Sequence, residues 1–174
     1  GEYHGQRHLS NAFDMIFKVI DKDDFDYIFI FSDHGCKLAD ELKKEDKIDF
    51  LNDDRTKIIM LVRKKGDNKI EKDNKLCSII DIAPTVDALL KNKHNKFDGI
   101  SLFDKKEHDN IVMEDQLAIK PDINSINEIW AVRTKNHYYL ETLNDSKLMK
   151  AESEHVYKKI DNPILKDYWQ RLLK

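Results

Sequence analysis

Two side chains that can bind a metal ion follow directly after an apolar segment. Tyr27–Phe31 is a run of five aromatic or β-branched residues, and Ser32, Asp33, His34 and Gly35 come next. An apolar run of this length, with acidic residues before it and a glycine after it, predicts a strand buried on both faces, as in a parallel sheet. Ligands of open α/β sheets bind beyond the carboxyl ends of the strands, so the polar residues here are expected at a site.

Asp33 and His34 offer the chemistry of a metal site. A carboxylate and an imidazole can coordinate one divalent cation if the backbone turns at Gly35, whereas strict strand alternation would send them to opposite faces. The alternative is that Asp33 caps a following helix and His34 is hydrogen-bonded beneath it. For the dipeptide taken alone, that structural alternative is favoured, so the metal hypothesis depends on the rest of the chain.

The composition excludes some classes of partner. Charged residues make up 36% of the 174 residues, and Lys plus Arg (30) nearly balance Asp plus Glu (33), which gives a net charge of −3. Such a balance gives no basis for binding nucleic acid or an anionic membrane surface. The two cysteines, Cys36 and Cys77, form neither a disulfide framework nor a zinc motif and are interpreted as small core or surface thiols.

No targeting signal is visible in the sequence. Gly1–His8 is polar, and no apolar run approaches the roughly 18 residues of a membrane span. A complete chain of this kind would be cytoplasmic, although a lost N-terminal part could have carried an address.

Hydrophobic spacing predicts the elements that position these residues. A helix from Ala12 to Ile20 leads into the Tyr27–Phe31 strand, and a charged segment, Cys36–Asp54, is expected to cross the site as a short helix and loop. Further predictions are a strand at Ile58–Val62, a helix capped by Asp81 with Pro84 in its first turn, a hairpin of Glu128–Arg133 and Tyr138–Leu143, and a terminal helix starting at Asn162-Pro163.

Several motifs, in this order, together resemble the C-terminal half of the sulfatase-like branch of the alkaline phosphatase superfamily. Ile30–Gly35 is similar to that family's strand ending in Ser-Asp-His-Gly. The other similar segments are Ser78–Val86 (an Asp-x-x-Pro-Thr helix start), Asp98–Leu102 (an Asp-Gly-x-Ser-Leu turn), Val112–Glu114, Trp130–Thr134 and Tyr138–Leu140.

The resemblance implies a fold, a reaction class and a cofactor. The implied fold is α/β, with an alkaline-phosphatase-like, mainly parallel sheet and flanking helices, plus a small C-terminal antiparallel sheet closed by a helix. Residues 1–109 would belong to the metal-binding core and residues 110–174 to the closing part. Members hydrolyse or transfer sulfate or phosphate esters with a divalent metal, and the metal-ligand role carries over to Asp33 and His34. Calcium, zinc and manganese remain open.

His4, Arg7 and His8 are the candidate substrate-binding residues. They are predicted to lie in a loop where the family often carries a histidine, and they could contact an anionic ester, for example one of a carbohydrate. Three solvent-exposed residues of a terminal loop are the alternative.

The family's first strand with its acidic ligands, and its nucleophile, have no counterpart in this sequence. The chain is therefore expected to be the C-terminal part of a longer hydrolase and inactive alone. A partner would be the N-terminal half, or another copy associating through a sheet edge. The alternatives are a phosphoethanolamine or other phosphoryl transferase of the same superfamily, and a noncatalytic binding domain.

Overall fold

A computed structural model describes residues 2–35, 51, 53–92, 96–118, 126–142, 146–153 and 156–173. The chain forms two compact units, of which unit 1 is Gly1–Ser32 with Ile58–Lys72, and unit 2 is Asp33–Lys57 with Asp73–Lys174. Helices and strands are mixed, as the sequence predicted, and two antiparallel sheets are present. The predicted division at residue 109 concerns function and stays a prediction.

Unit 1 is a helix followed by a two-stranded ribbon. It contains α1 (Glu2–Val19), a 3-10 turn (Lys22–Asp24), β1 (Tyr27–Phe31) and β2 (Met60–Lys64). Asp21 begins the turn by accepting a hydrogen bond from the Asp23 amide, and Arg63 on β2 closes it through a 2.6 Å ion pair with Asp23.

The two strands of unit 1 run antiparallel, with Phe29 opposite Val62. The sequence predicted a mainly parallel sheet, and no parallel pair occurs among the described strands. An apolar run specifies burial but not the direction of the neighbouring strand, which explains the difference. The bounds of β1 agree with the prediction. Burial on both faces was wrong, since four of its residues are partly buried and Phe31 is exposed.

Helix α1 begins much earlier than predicted. Residues 2–11 were expected to precede the helix, and the first eight to form a loop, but all of Glu2–Val19 is helical. The apolar residues that signal the helix start only at Leu9, so the polar first turns carried no hydrophobic periodicity. His4, Arg7 and His8 therefore lie on a helix rather than on a loop.

Unit 2 is built on a five-stranded antiparallel meander. Its strands are β3 (Ile111–Ala118), β4 (Ile126–Arg133), β5 (His137–Thr142), β6 (Ser146–Ser153) and β7 (Val156–Lys159), and each pairs with the next along the chain. The β4–β5 hairpin was predicted. Strands β6 and β7 were not, because their alternation of apolar and polar residues is weak.

The meander has a packed cluster on each face. Ala131, Tyr138 and Leu140 form one cluster with Leu51. Val132, Tyr139 and Leu148 form the other with Trp169 of α4 (Pro163–Leu172). The alternation along β4 and β5 thus gives each face its own core, and the predicted terminal helix covers one of them, capped by Asn162.

Two shorter helices complete unit 2. They are α2 (Asp53–Thr56) and α3 (Ile82–Leu89), and a 3-10 turn (Ile79–Asp81) leads into α3. Most of the predicted charged crossing segment, residues 36–50, lies outside the described residues. In the part of the chain that is described, no helix combines the length and the hydrophobicity needed to cross a bilayer.

Candidate metal-binding site

Asp33 and His34 lie side by side immediately after β1. The Nε2 atom of His34 is 3.7 Å from Oδ2 of Asp33, and the two side chains are 51% and 84% exposed, respectively. The other Asp33 oxygen accepts the backbone N–H of His34 at 2.9 Å, which holds the carboxylate beside the ring. This separation is slightly longer than the about 3–3.5 Å between adjacent ligands of one cation with metal–donor bonds of about 2.0–2.2 Å, so the two exposed side chains would have to move closer together to bind the same ion.

The second ring nitrogen of His34 has two neighbours. Nδ1 lies 2.6 Å from the carbonyl oxygen of Gly35 and 3.0 Å from Nη1 of Arg55. A protonated Nδ1 donates to Gly35 and leaves the Nε2 lone pair beside Asp33, which is the usual arrangement of a metal-binding histidine. An unprotonated Nδ1 instead accepts from Arg55 and places the proton on Nε2.

Arg55 is a site residue that the sequence did not indicate. Besides its guanidinium contact, its backbone carbonyl accepts the N–H of Gly35 at 2.8 Å. Arg55 thus contacts both His34 and Gly35, the last two residues of the Asp-His-Gly segment. It follows a densely charged stretch, and no spacing within the sequence distinguishes it from the other cations there.

Ser32 has a structural role in unit 1. Its Oγ accepts the N–H of Ile59 at 3.1 Å, and its own N–H donates to the Ile59 carbonyl at 3.2 Å. These bonds extend the β1–β2 ladder by one residue. The hydroxyl is therefore occupied in ending the strand.

The predicted substrate-binding residues belong to a different unit from the metal pair. His4, Arg7 and His8 lie on α1 of unit 1. The side chains of Arg7 and His8 are exposed. Asp33 and His34 are brought together within unit 2, and the role of the α1 residues stays a prediction.

A second polar cluster surrounds Asp81, which is 1% exposed. Its carboxylate accepts the N–H groups of Ser78 and Ile100 at 2.8 Å and lies 2.7 Å from Nε2 of His108. Asp81 precedes α3 as predicted, but its side chain joins the helix start to the Asp98–Leu102 turn instead of capping the helix. Thr85 adds a bond from the Leu102 N–H at 2.8 Å. These hydrogen bonds connect the start of α3 to the Asp98–Leu102 turn, so the cluster has a structural role.

Cys77 lies in an environment that disfavours its thiolate form. Cys77 is a free thiol, and partial burial of its sulfur, followed by the charge of Asp81, raises its pKa. A thiol with a raised pKa is a poor nucleophile at neutral pH. Cys36 lies outside the described residues.

Asp33 and His34 fit a divalent metal as part of a ligand set. Within the described ranges, no group of three or more His, Cys, Asp and Glu side chains converges on one point. Zinc sites use three or four protein ligands, so the pair needs further donors to hold zinc. Comparisons of this chain with models of protein families, with curated proteins and with solved structures gave no match.

Proposed function

We propose that this chain is the metal-binding C-terminal part of a sulfatase-like hydrolase that cleaves sulfate or phosphate esters. The nucleophile and the remaining metal ligands belong to an N-terminal half that is outside this sequence. The observation that supports this proposal is the 3.7 Å approach of His34 Nε2 to Asp33 Oδ2 directly after a strand, with Nδ1 next to the Gly35 carbonyl.

Asp33 and His34 are the residues that would hold the metal. When bound, a divalent ion supplies Lewis-acid polarisation of the ester and activation of the nucleophile. Asp33 contributes negative charge that offsets the charge of the cation, and Gly35 orients the imidazole through its carbonyl oxygen. Arg55 adds a guanidinium 3.0 Å from the ring, a group suited to the oxygens of a sulfate or phosphate.

The proposal is tested by titrating the chain with Zn²⁺ in a calorimeter. We expect one weak site, because Asp33 and His34 are the only ligands that come together there among the described residues. We also expect a loss of affinity of at least tenfold in Asp33→Ala and in His34→Ala. Asp109→Ala removes another exposed carboxylate and serves as the matched control. Equal Zn²⁺ binding by the parent and both site variants would reject the assignment.

The coding sequence that precedes Gly1 gives an independent test. It is expected to encode a strand with acidic metal ligands and a nucleophilic Thr, Ser or Cys. A continuous upstream reading frame without these residues would contradict the hydrolase and leave a binding domain.

A further inference from the structure

Helix α2 is too short to determine its own position. It contains only four residues, Asp53–Thr56, and helices of this length are unstable without tertiary contacts. It nevertheless carries Arg55, which touches the ring of His34. The contacts that fix α2 in unit 2 therefore also decide where the candidate metal pair lies.

The first residue of α2 carries a buried carboxylate. Asp53 is 6% exposed, with Nη1 of Arg133 at 3.2 Å from Oδ1 and Nζ of Lys57 at 2.8 Å from Oδ2. A buried carboxylate is costly unless it is paired, so the position of Asp53 is tied to these two cations. Lys57 is next to α2 in the chain, whereas Arg133 lies on β4 and supplies the long-range link.

Arg133 is itself held by the sheet. Its side chain is 17% exposed, and its guanidinium carbon lies 5.3 Å from the centre of the Tyr138 ring, in a cation–π contact. Tyr138 belongs to the buried cluster that includes Leu51. Leu51 lies two residues before Asp53, so an apolar contact and an ion pair both fasten the start of α2 to the meander.

The same helix is joined to the candidate site by two contacts. The Arg55 carbonyl accepts the Gly35 N–H at 2.8 Å, and the Arg55 guanidinium lies 3.0 Å from Nδ1 of His34. The link that is compatible with metal at Nε2 is the first of these, because the Gly35 carbonyl oxygen lies 2.6 Å from Nδ1 of His34. A series of contacts thus leads from Arg133 through Asp53 and the backbone of α2 to Gly35 and from there to the His34 ring.

We propose that Asp53 and Arg133 are positioning residues for the Asp33–His34 metal pair. The inference rests on the proposed function of that pair. The five-stranded sheet, through this buried ion pair, holds the His34 ring 3.7 Å from the Asp33 carboxylate, close to the separation of two ligands of one cation. Neither Asp53 nor Arg133 touches the metal, and their effect passes through α2.

The test measures Zn²⁺ affinity by calorimetry in Asp53→Asn, Arg133→Met and Arg133→Lys. We expect at least a fivefold loss in the first two and partial recovery in Arg133→Lys, which keeps the charge. Lys135→Met is the matched control, since it removes a cation of the β4–β5 turn that pairs with Glu107 at 2.7 Å. Unchanged affinity in both Asp53→Asn and Arg133→Met would overturn the inference.

A second measurement on the unaltered chain covers the case in which these variants fail to fold. The side-chain NMR signal of Arg133 is expected to shift along the same Zn²⁺ titration curve as the His34 ring, while the Lys135 signal stays constant. An Arg133 signal that does not respond would also overturn the inference. If the parent chain binds no Zn²⁺ at all, the proposed function is wrong. If Zn²⁺ binds through Asp33 and His34 without any effect on the Arg133 signal, only the positioning role is wrong.

Discussion

At the scale of single residues, the central feature is that Nδ1 of His34 cannot satisfy both of its neighbours. With the proton on Nδ1, the ring donates to Gly35 and keeps Nε2 open beside Asp33, whereas the other tautomer accepts from Arg55 and blocks Nε2. Metal binding at Nε2 therefore requires the tautomer that Gly35 favours.

We expect Zn²⁺ to place the His34 proton on Nδ1. Two-dimensional NMR that correlates ring protons with ring nitrogens should show a pyrrole-type Nδ1 at saturation, and Arg55→Met should increase this form before metal is added. His137, whose ring packs edge-on against Trp169, is the internal control. Zn²⁺ attached to Nδ1 would contradict this arrangement.

Asp33 and His34 were predicted as a pair because they are adjacent and follow an unmistakable apolar run. Arg55 and Asp53 were not predicted, because their significance comes from contacts with residues about 20 and 80 positions away, Gly35 and Arg133. A single sequence rich in Asp, Glu, Lys and Arg gives no signal that selects these partners.

At the scale of elements, the start of α3 and the Asp98–Leu102 turn form a close-packed joint at Gly99. A Cβ atom at this position would lie 2.3 Å from the Ile80 carbonyl oxygen and 2.9 Å from the Asp81 carboxylate. The turn can approach the buried Asp81 only because residue 99 has no side chain.

Gly99→Ala is expected to destabilise unit 2 by about 3 kcal/mol, because it overpacks a backbone contact. Gly66→Ala is the matched control. Gly66 has a φ of 85° but open space around it, so the alanine there costs only about 1 kcal/mol of backbone strain. Urea denaturation of the two variants measures the difference. An equal loss of unfolding free energy in both variants would show that the backbone around Gly99 and Asp81 can shift to accommodate a Cβ atom.

Elements with local signals were predicted well. The apolar run predicted β1, the Asn162-Pro163 cap predicted α4, and the alternation of apolar and polar residues predicted the β4–β5 hairpin. The direction of the β1–β2 pair was not predictable, because it depends on how the intervening chain returns and not on the strand residues themselves.

At the scale of the whole molecule, unit 1 exposes large apolar side chains. Helix α1, the residue that follows it and the two strands contribute Leu9, Met15, Ile16, Phe17, Val19, Ile20, Phe31 and Leu61, each between 39% and 86% exposed. Residues of α1, the following turn and β1 also line an open apolar groove of about 500 Å³. One edge of β1 has no partner among the described strands. Such a surface is typical of a region that another chain segment covers.

The isolated chain is therefore expected to self-associate. Sedimentation analysis should give an average mass that rises above 20.6 kDa with concentration, and Phe17→Asp should reduce the rise. Leu90→Asp places the same charge on an exposed apolar site of unit 2 and should have no effect. A constant monomer mass in the parent would show that the exposed apolar side chains of unit 1 do not drive self-association.

The order of strands also has a consequence for synthesis of the chain. In the meander every strand pairs with its neighbour in sequence. Its contacts are therefore local, and each strand can pair soon after it has been synthesised. Strand β1 must wait for β2, which begins only at Met60, after about 1 to 6 seconds of further translation at ordinary rates. During that interval the five apolar residues leading to Asp33 lack their strand partner, and we expect them to be bound by a chaperone that recognises extended apolar segments.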